Sequence, residues 1–352
     1  MCRLTTHETY MQRSLQLARL GEGNVAPNPM VGAVLVYKDR IIGEGYHQQY
    51  GQAHAEVNCI NSVLASNYSL IQKSTLYVSL EPCAHYGKTP PCADLIIRNK
   101  IPLVVIGCRD SYEEVDGKGI QKLEQAGIEV ITGVLEREAL ELNKRFFTFH
   151  TKQRPYIILK WAQSKDHIIA NADYSAIKIS NDITNRLVHK WRSEEAAILV
   201  GTNTALHDNP ALTNRLWNGN NPIRLVIDKQ LRLPATSHLF DGATKTIVFN
   251  FLRDEEKESI LFYKLSAEEN IIPSLLDALY KLKIQSVLIE GGTQLLQSFI
   301  NAGCWDEARV ITNESLIIEN GIEAPKLKGH RLTRTEKINN DSVAYYESTE
   351  PQ

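Results

Sequence analysis

The order of apolar and polar positions in the first part of the chain predicts strands that alternate with helices. Short apolar runs of strand length lie at positions 31–37, 41–46, 76–80, 103–107 and 128–131. Apolar residues recur with helical spacing at positions 8–20, 53–65, 93–99, 118–126 and 136–149. Strands and helices that alternate in this way favour a layered α/β unit.

The second part of the chain repeats this alternation with different lengths. Strands are predicted at 156–160, 197–200, 223–227, 246–249 and 286–289, and helices at 179–195, 271–282 and 294–300. Beyond Glu323 the stretch is polar and the pattern predicts no element. The polar stretch from Thr151 to Pro155 separates the two parts. We therefore expect two domains, residues 1–150 and residues 151–352.

A set of metal-binding residue types falls at the edges of these predicted elements. His54 and Glu56 open a predicted helix, Cys83 follows the strand at 76–80, and Cys92 opens the next helix. Zinc nucleobase deaminases carry His-x-Glu followed by Pro-Cys-x-x-Cys. Here the spacing between the cysteines is longer, with Ala84 to Pro91 between them. A chance His-x-Glu beside two buried cysteines is the alternative, but the convergence of strand end and helix starts favours a zinc site.

The number of ligands indicates the kind of zinc site. His54, Cys83 and Cys92 supply three ligands, and a catalytic zinc keeps its fourth position open for water. Glu56 is then available to move protons, so we expect it to be catalytic and not a ligand. A structural zinc module on an unrelated binding domain stays an alternative, although structural sites normally have four protein ligands.

Composition and charge narrow the class of protein. The net charge of -2 gives no basic footprint for nucleic acid, which counts against a nucleic-acid base deaminase with an appended binding domain. No apolar run approaches membrane-spanning length. Six cysteines in 352 residues do not form a disulfide framework. We expect a cytoplasmic enzyme that binds neither nucleic acid nor membrane.

Glycine-rich turns suggest further binding sites in the second part. Gly291-Gly292 lies between a predicted strand and a predicted helix, where backbone N–H groups bind phosphate, and Gly201-Thr202 follows the predicted strand at 197–200 in the same way. In the first part, Gly117-Lys118-Gly119 resembles the start of a dinucleotide fingerprint, but the third glycine is missing and we interpret it as a chance match. Asn28, between two prolines, presents an amide suited to a base edge; an ordinary turn is the alternative.

Longer motifs resemble those of a known family. They are Pro27-Asn28-Pro29 with Val31-Gly32, His54-Ala55-Glu56-Val57, the stretch from Glu81 to Thr89-Pro90-Pro91-Cys92, Leu159-Lys160-x-Ala162, Gly201-Thr202-Asn203-Thr204, Asp208-Asn209-Pro210 through Arg215, and Ile289-Glu290-Gly291-Gly292-Thr293. Together they resemble the bacterial bifunctional riboflavin-biosynthesis enzyme, which joins a pyrimidine deaminase to a reductase. The long cysteine spacing separates this family from cytidine and tRNA deaminases.

The resemblance implies a fold and two activities. The fold is α/β, with an N-terminal cytidine-deaminase-like layered domain and a C-terminal dihydrofolate-reductase-like domain. The first domain is expected to use Zn²⁺ to remove the 2-amino group of a diaminopyrimidinone ribosyl phosphate. The second is expected to use NADPH to reduce the ribosylamino sugar to a ribitylamino chain. The implied partner is a small phosphorylated pyrimidine, and we expect a homo-oligomer.

The resemblance also implies site residues. The cofactor-binding positions are Ala162, Lys178, Thr204, Asp208 and Gly292. The substrate-binding positions are Asn28, Lys160, Ala176, Arg192, Arg215 and Glu290. Arginine suits the phosphate because its planar fork donates two parallel hydrogen bonds. The chain departs from the family pattern at His167, where glycine is usual, and at Ala176 to Ser180, where a Ser-x-Trp-Ile-Thr segment is common.

Overall fold

The computed structural model describes residues 5–86, 90–110, 116–175, 177–266 and 270–350. The chain divides into two compact units, Met1–Lys152 and Gln153–Gln352. The predicted position Ala176, and Gly87 to Thr89 of the cysteine loop, lie outside the described residues. In the part of the chain that the structure describes, we find no helix with the length and apolar character needed to cross a membrane.

The first unit contains a five-stranded sheet in the order β2-β1-β3-β4-β5. Its strands are β1 Gly32–Tyr37, β2 Arg40–Tyr46, β3 Thr75–Leu80, β4 Leu103–Cys108 and β5 Glu129–Ile131. β1 is antiparallel to β2 and β3, whereas β3, β4 and β5 are parallel to one another. The five strands predicted for this part are therefore all present, each within a few residues of its predicted bounds.

Helices cover both faces of this sheet, which explains the continuous apolar strands. The helices are α1 Thr6–Ala18, α2 Ala55–Asn61, α3 Cys92–Arg98, α4 Lys118–Gln125, α5 Glu136–Leu142 and α6 Lys144–Lys152. In β1, Ala33 and Leu35 pack with α2, α3 and α4, and Val34 and Val36 pack with α1 and α5. Both faces bury apolar side chains because successive strand residues point to opposite sides.

The second unit contains a ten-stranded sheet and a separate two-stranded ribbon. The strands are β6 Tyr156–Ser164, β7 Ile168–Asn171, β8 Ala197–Gly201, β9 Ile223–Ile227, β10 Thr246–Asn250, β11 Glu255–Lys257, β12 Ile260–Lys264, β13 Ser286–Ile289, β14 Glu307–Asn313, β15 Gly321–Glu323, β16 His330–Ile338 and β17 Asp341–Ser348. The sheet order is β11-β12-β10-β9-β8-β13-β6-β14-β17-β16, and β7 pairs with β15.

Helices again lie on both faces of the large sheet. They are α7 Asp182–Glu194, α8 Thr202–Asp208, α9 Ile271–Lys281 and α10 Thr293–Asn301. α9 and α10 pack on one face with Leu159 and Leu225, whereas α7 and α8 pack on the other. The neighbours β9, β8, β13 and β6 are parallel, so their carboxyl ends meet along one edge of the sheet. Parallel sheets of this kind place ligands at that edge.

Three predictions of secondary-structure elements were wrong, and each error has a physical cause. The helix predicted at 136–149 is two helices, because the Asn143 side chain bonds the backbone N–H and carbonyl of Met30. The helix predicted from Ile179 begins at Asp182, where Asn181 caps it. The polar stretch beyond Glu323 contains the β16–β17 hairpin, and β16 is largely exposed, so its sequence carries no apolar alternation.

Candidate active sites

The first unit brings the three predicted zinc ligands together. His54 precedes α2 as its N-terminal cap residue, Cys83 lies just beyond β3, and Cys92 is the first residue of α3. His54 Nδ1 lies 3.6 Å from Cys83 Sγ and 3.4 Å from Cys92 Sγ. The three donor atoms all lie within 4.8 Å of one another.

These distances fit a tetrahedral zinc ion. With a Zn–N bond of about 2.05 Å and a Zn–S bond of about 2.3 Å, tetrahedral geometry separates the nitrogen and sulfur ligands by about 3.6 Å. The separations of 3.6 Å and 3.4 Å between His54 and the two cysteines match that value. The donor set of one imidazole and two thiols is also the set that zinc prefers.

The surroundings favour the thiolate form that a metal requires. The backbone N–H of Cys92, at the start of α3, donates to Cys83 Sγ over 3.3 Å. The hydrogen bond from the Cys92 thiol lowers the pKa of Cys83, and the same contact raises the pKa of Cys92. These contacts favour the thiolate of Cys83, and a cation between the sulfurs favours loss of the proton from Cys92 as well.

Glu56 lies beside the ligands in the first turn of α2. It is 3% exposed, and burial raises its pKa. Among the described residues, the group of donors that could hold the ion comprises His54, Cys83 and Cys92 and does not include Glu56. A buried carboxylate whose pKa is raised holds a proton more readily than an exposed one, which suits a group that accepts and delivers protons.

The structure adds His47, which the sequence analysis missed. His47 is 2% exposed, and its Nδ1 lies 3.0 Å from the carbonyl of Ala53, so Nδ1 carries the proton. Its Nε2 then accepts from the amide of Asn28 over 3.2 Å. Burial lowers the pKa of His47, which keeps the ring neutral. The ring also meets that of His54 edge-on at 5.5 Å. Asn28 is thus oriented beside the metal ligands.

Glu81, which the family motif includes without a stated role, explains the Gly117-Lys118-Gly119 motif. Glu81 is 4% exposed, and its carboxylate accepts from the backbone N–H groups of Asp110, Gly117, Gly119 and Ile120 at 3.0–3.3 Å. A Cβ at Gly119 would lie 1.9 Å from the carbonyl oxygen of Pro82, so that position needs glycine. The motif anchors the segment that leads to Cys83 instead of binding a nucleotide.

The second unit has a large pocket at the carboxyl ends of its parallel strands. The pocket encloses about 810 Å³. Six predicted site residues line it: Lys160, Ala162, Thr204, Asp208, Glu290 and Gly292. Lys178, Arg192 and Arg215 are absent from the lining among the described residues. Lys178 is exposed and paired with Asp182.

Two glycines precede helices at this pocket: the helix after Gly292 was predicted, whereas α8 after Gly201 was not. Gly201 caps α8 and Gly292 caps α10. The N–H of Gly292 donates to Thr204 Oγ1 over 3.0 Å, so the two turns are joined. Asp208, at the end of α8, has a pKa raised by burial. The helix starts supply partial positive charge at the pocket wall.

The polar end of the pocket is a buried charge cluster. Glu290 accepts from Arg192 Nε and Nη2 at 2.9 Å and 2.8 Å and lies 3.5 Å from Lys160 Nζ. Burial opposes the ionised form, but the charges of Arg192 and Lys160 lower the pKa of Glu290 to about 2. Arg192 also donates to the carbonyl of Thr213. Its guanidinium therefore holds protein groups here, whereas Arg215 is exposed.

His167 replaces the usual family glycine without disrupting the turn. Its φ is 64°, in the left-handed region that favours glycine. A hydrogen bond of 2.9 Å joins Gln163 Nε2 to His167 Nδ1, and Gln163 also donates to Thr312. These contacts hold the histidine in the conformation that glycine adopts freely.

Two family models match the chain. The cytidine and deoxycytidylate deaminase zinc-binding region matches residues 4–108, and the RibD C-terminal domain matches residues 155–317. The fold and the sites therefore define a two-domain enzyme, in which a zinc-binding deaminase domain of the cytidine-deaminase type precedes a dihydrofolate-reductase-like domain that uses NADPH.

Known relatives identify the family. The riboflavin biosynthesis protein RibD of Bacillus amyloliquefaciens is 42% identical over 329 residues, which cover 91% of this chain and 87% of the relative. That of Aquifex aeolicus is 38% identical over 331 residues, 93% of this chain and 89% of the relative. The chain belongs to the RibD family of bifunctional deaminase/reductase enzymes of riboflavin biosynthesis.

Solved structures agree over nearly the whole chain. The diaminohydroxyphosphoribosylaminopyrimidine deaminase/5-amino-6-(5-phosphoribosylamino)uracil reductase of Thermotoga maritima has a TM-score of 0.89 and 35% identity, with 97% of this chain and 99% of that chain covered. A structure of RibD from Acinetobacter baumannii has a TM-score of 0.88 and 29% identity, covering 97% of this chain and 98% of that chain.

Proposed function

We propose that this enzyme acts on the same class of molecule that the Thermotoga maritima protein is named for. Residues 1–150 would remove the 2-amino group of a diaminopyrimidinone ribosyl phosphate. Residues 151–352 would reduce the ribosylamino sugar of the product to a ribitylamino chain. The observation that carries the deaminase part is the set of donor distances of 3.4 Å and 3.6 Å around His54, with buried Glu56 beside it.

The residues of the first site have separate tasks in this proposal. His54, Cys83 and Cys92 hold the zinc ion, which lowers the pKa of water when bound. Glu56 would accept a proton from the attacking water, whose oxygen bonds to C2, and would return protons to the ring and to the departing amine, so that the bond from C2 to the amine nitrogen breaks and ammonia leaves. Asn28, oriented by His47, donates or accepts at the base edge.

In the second site, NADPH supplies the hydride and the protein positions the reactants. Ala162, Thr204, Asp208 and Gly292 line the pocket on the proposed cofactor side. The glycine turns that open α8 and α10 suit the phosphates of the cofactor.

The substrate side of the second site is proposed to comprise charged residues. Lys160 and Glu290 lie at the pocket wall, and the exposed guanidinium of Arg215 suits the substrate phosphate. Lys178 and Ala176 stay family-based predictions, as does a direct contact between Arg192 and substrate.

The deaminase proposal is tested with Glu56→Gln, which keeps the shape of the side chain and removes the base. We expect deamination to fall by roughly 10²–10⁴-fold or more, because general acid–base catalysis contributes that much. Zinc content should stay unchanged, and the deaminated substrate should still oxidise NADPH. Full deaminase activity in this variant would contradict the mechanism.

The reductase proposal is tested with the reciprocal changes Asp208→Asn and Arg215→Ala. We expect both to impair NADPH oxidation on the deaminated substrate and to leave deamination intact. Asp208→Asn should act mainly on the KM for NADPH, and Arg215→Ala on the KM for the phosphorylated substrate. A wild-type protein that deaminates but never oxidises NADPH would end the assignment of the second unit.

The oligomeric state, the location and the partners of the protein are also proposed. We infer a homo-oligomer, a cytoplasmic location and no nucleic-acid partner, on the basis of the family and the net charge of -2. Light scattering after size-exclusion chromatography measures the oligomeric state, and a measured mass equal to one chain would contradict the homo-oligomer. Tight binding of RNA at physiological salt would contradict the absence of a nucleic-acid partner.

A further inference from the structure

We infer that His189 is a positioning residue of the reductase, which holds the backbone of Arg215 so that the guanidinium meets the substrate phosphate. His189 lies on the buried face of α7 and is 2% exposed. Its Nδ1 accepts from the backbone N–H of Arg215 over 2.9 Å. The inference rests on the proposed role of Arg215 as a phosphate ligand.

The segment that carries Arg215 needs an external hold. It begins at Asn209, which caps α8 in the left-handed conformation that asparagine tolerates. Leu212 follows with a φ of 49°, in the left-handed region that bulky residues avoid. Backbone of this kind persists only where neighbouring groups hold it. The segment between α8 and β9 has no regular structure, so side chains must supply that hold.

Helix α7 supplies it at two points. His189 accepts from the N–H of Arg215, and Arg192, one turn later on α7, donates to the carbonyl of Thr213 over 3.2 Å. Arg192 is itself fixed by two hydrogen bonds to Glu290 at the pocket wall. The carbonyl of Thr213 is therefore linked through Arg192 to Glu290 at the pocket wall, and the N–H of Arg215 is held by α7. The Arg215 side chain is exposed, and its Nη1 donates to Thr213 Oγ1 over 3.1 Å.

The role of His189 requires a neutral ring. A protonated imidazole donates from both nitrogens and would oppose the N–H of Arg215. Burial and the positive charges of Arg192 and Arg215 lower the pKa of His189 to about 4, despite the opposing charge of Glu290. Lys160 adds to the same effect. The ring is thus an acceptor throughout the physiological range.

The test compares His189→Leu, which has no acceptor, with His189→Asn, whose Oδ1 can replace Nδ1. Loss of a hydrogen bond to a buried N–H should raise the KM for the phosphorylated substrate about 5- to 50-fold in His189→Leu. The KM for NADPH and the deaminase activity of the same chain should not change. His189→Asn should recover most of the substrate KM. His330→Ala, an exposed histidine on β16, is the matched control.

The outcomes separate this inference from the function on which it rests. If Arg215→Ala raises the substrate KM and His189→Leu does not, His189 has no positioning role and Arg215 keeps its own. If Arg215→Ala leaves the substrate KM unchanged, the proposed phosphate role fails and this inference fails with it. Should His189→Leu not fold, His189→Ala replaces it. Equal losses in His189→Asn and His189→Ala would also overturn the inference.

Discussion

The zinc site and the reductase pocket of this chain are assembled in opposite ways. The zinc ligands His54 and Cys92 are 38 positions apart in sequence, and each lies at the edge of a regular element. In the pocket, Lys160 and Glu290 are 130 positions apart and meet only because β6 and β13 are neighbouring strands. The first site is therefore defined by three donor atoms at the edges of elements, whereas the charged residues of the second are brought together by neighbouring strands of a sheet.

This difference predicts different responses to substitution. A tetrahedral metal sets the geometry of the first site, so one ligand change removes the chemistry while the surrounding core stays packed. In the second site, Glu290 holds Arg192 and Lys160 in a buried cluster, so the charges depend on one another. A change there should reduce the stability of the fold as well as binding.

Cys83→Ser is expected to have the largest effect and to be confined to the first site. Serine supplies no thiolate, so zinc should be lost from the purified protein and deamination should fall beyond detection. NADPH oxidation on the deaminated substrate should continue. Metal analysis and the two separate assays measure this. Cys304→Ser, a half-buried thiol of the second unit, is the control, and zinc retained in Cys83→Ser would remove the ligand assignment.

Glu290→Gln should have the next largest effect, which is a loss of free energy of unfolding. It leaves Arg192 and Lys160 buried without their counter-charge, which typically costs about 3–5 kcal/mol. Denaturant unfolding followed by tryptophan fluorescence reports on the second unit alone, since it contains the four tryptophans Trp161, Trp191, Trp217 and Trp305. Asp182→Asn, in a solvent-screened exposed pair with Lys178, is the control and should change the free energy of unfolding far less.

The stability difference between wild type and Glu290→Gln should also depend on pH. The pKa of Glu290 is lowered to about 2 in the folded protein and is about 4.3 in an unfolded chain. A lowered carboxyl pKa stabilises the fold fully above the unfolded value, and that contribution is lost as pH falls from about 4.3 towards about 2. Equal differences at pH 6 and pH 2.5 would contradict the assignment of this stability to the charge.

The sequence predicted the zinc site more completely than the pocket, for a physical reason. Ligand type and the starts of α2 and α3 can be recognised locally, and the structure brings His54, Cys83 and Cys92 together. The pocket positions came from the family resemblance, because no local pattern shows that Lys160 and Glu290 are neighbours. Arg192 illustrates the limit: guanidinium chemistry suggested phosphate, but its nearest partner in the structure is Glu290.

The residues whose roles the sequence missed act through other residues. His47 orients an amide, Glu81 holds backbone N–H groups, and His189 holds the Arg215 backbone. Such roles depend on tertiary contacts that periodicity does not contain. Some signals were present, since His47 follows a strand and Glu81 stands two residues before a ligand. β16 gave no signal because it is largely exposed and lacks apolar alternation, whereas β17 buries Val343 and Tyr345 in a short apolar run that was not interpreted as a strand.

Glu81→Gln should reduce zinc binding less than a change of ligand does. It would show that the zinc site, like the pocket, depends on residues that do not themselves bind the ligand. The amide has one acceptor oxygen and would point its NH₂ group at some of the four backbone N–H groups that Glu81 now binds. The segment that leads to Cys83 should lose its anchor. Removing such outer partners typically costs 10–100-fold in metal affinity, and we expect zinc affinity to fall by about that much.

Chelator competition measures the zinc affinity of Glu81→Gln without reference to enzyme activity. Glu124→Gln, the same change at an exposed position of α4, is the matched control and should leave the affinity unchanged. The reductase assay on the same samples shows whether the second unit stays intact. If a folded Glu81→Gln binds zinc as tightly as Glu124→Gln, the anchor does not position Cys83. The zinc site would then depend on its three ligands alone, and the contrast with the pocket would be sharper than the structure indicates.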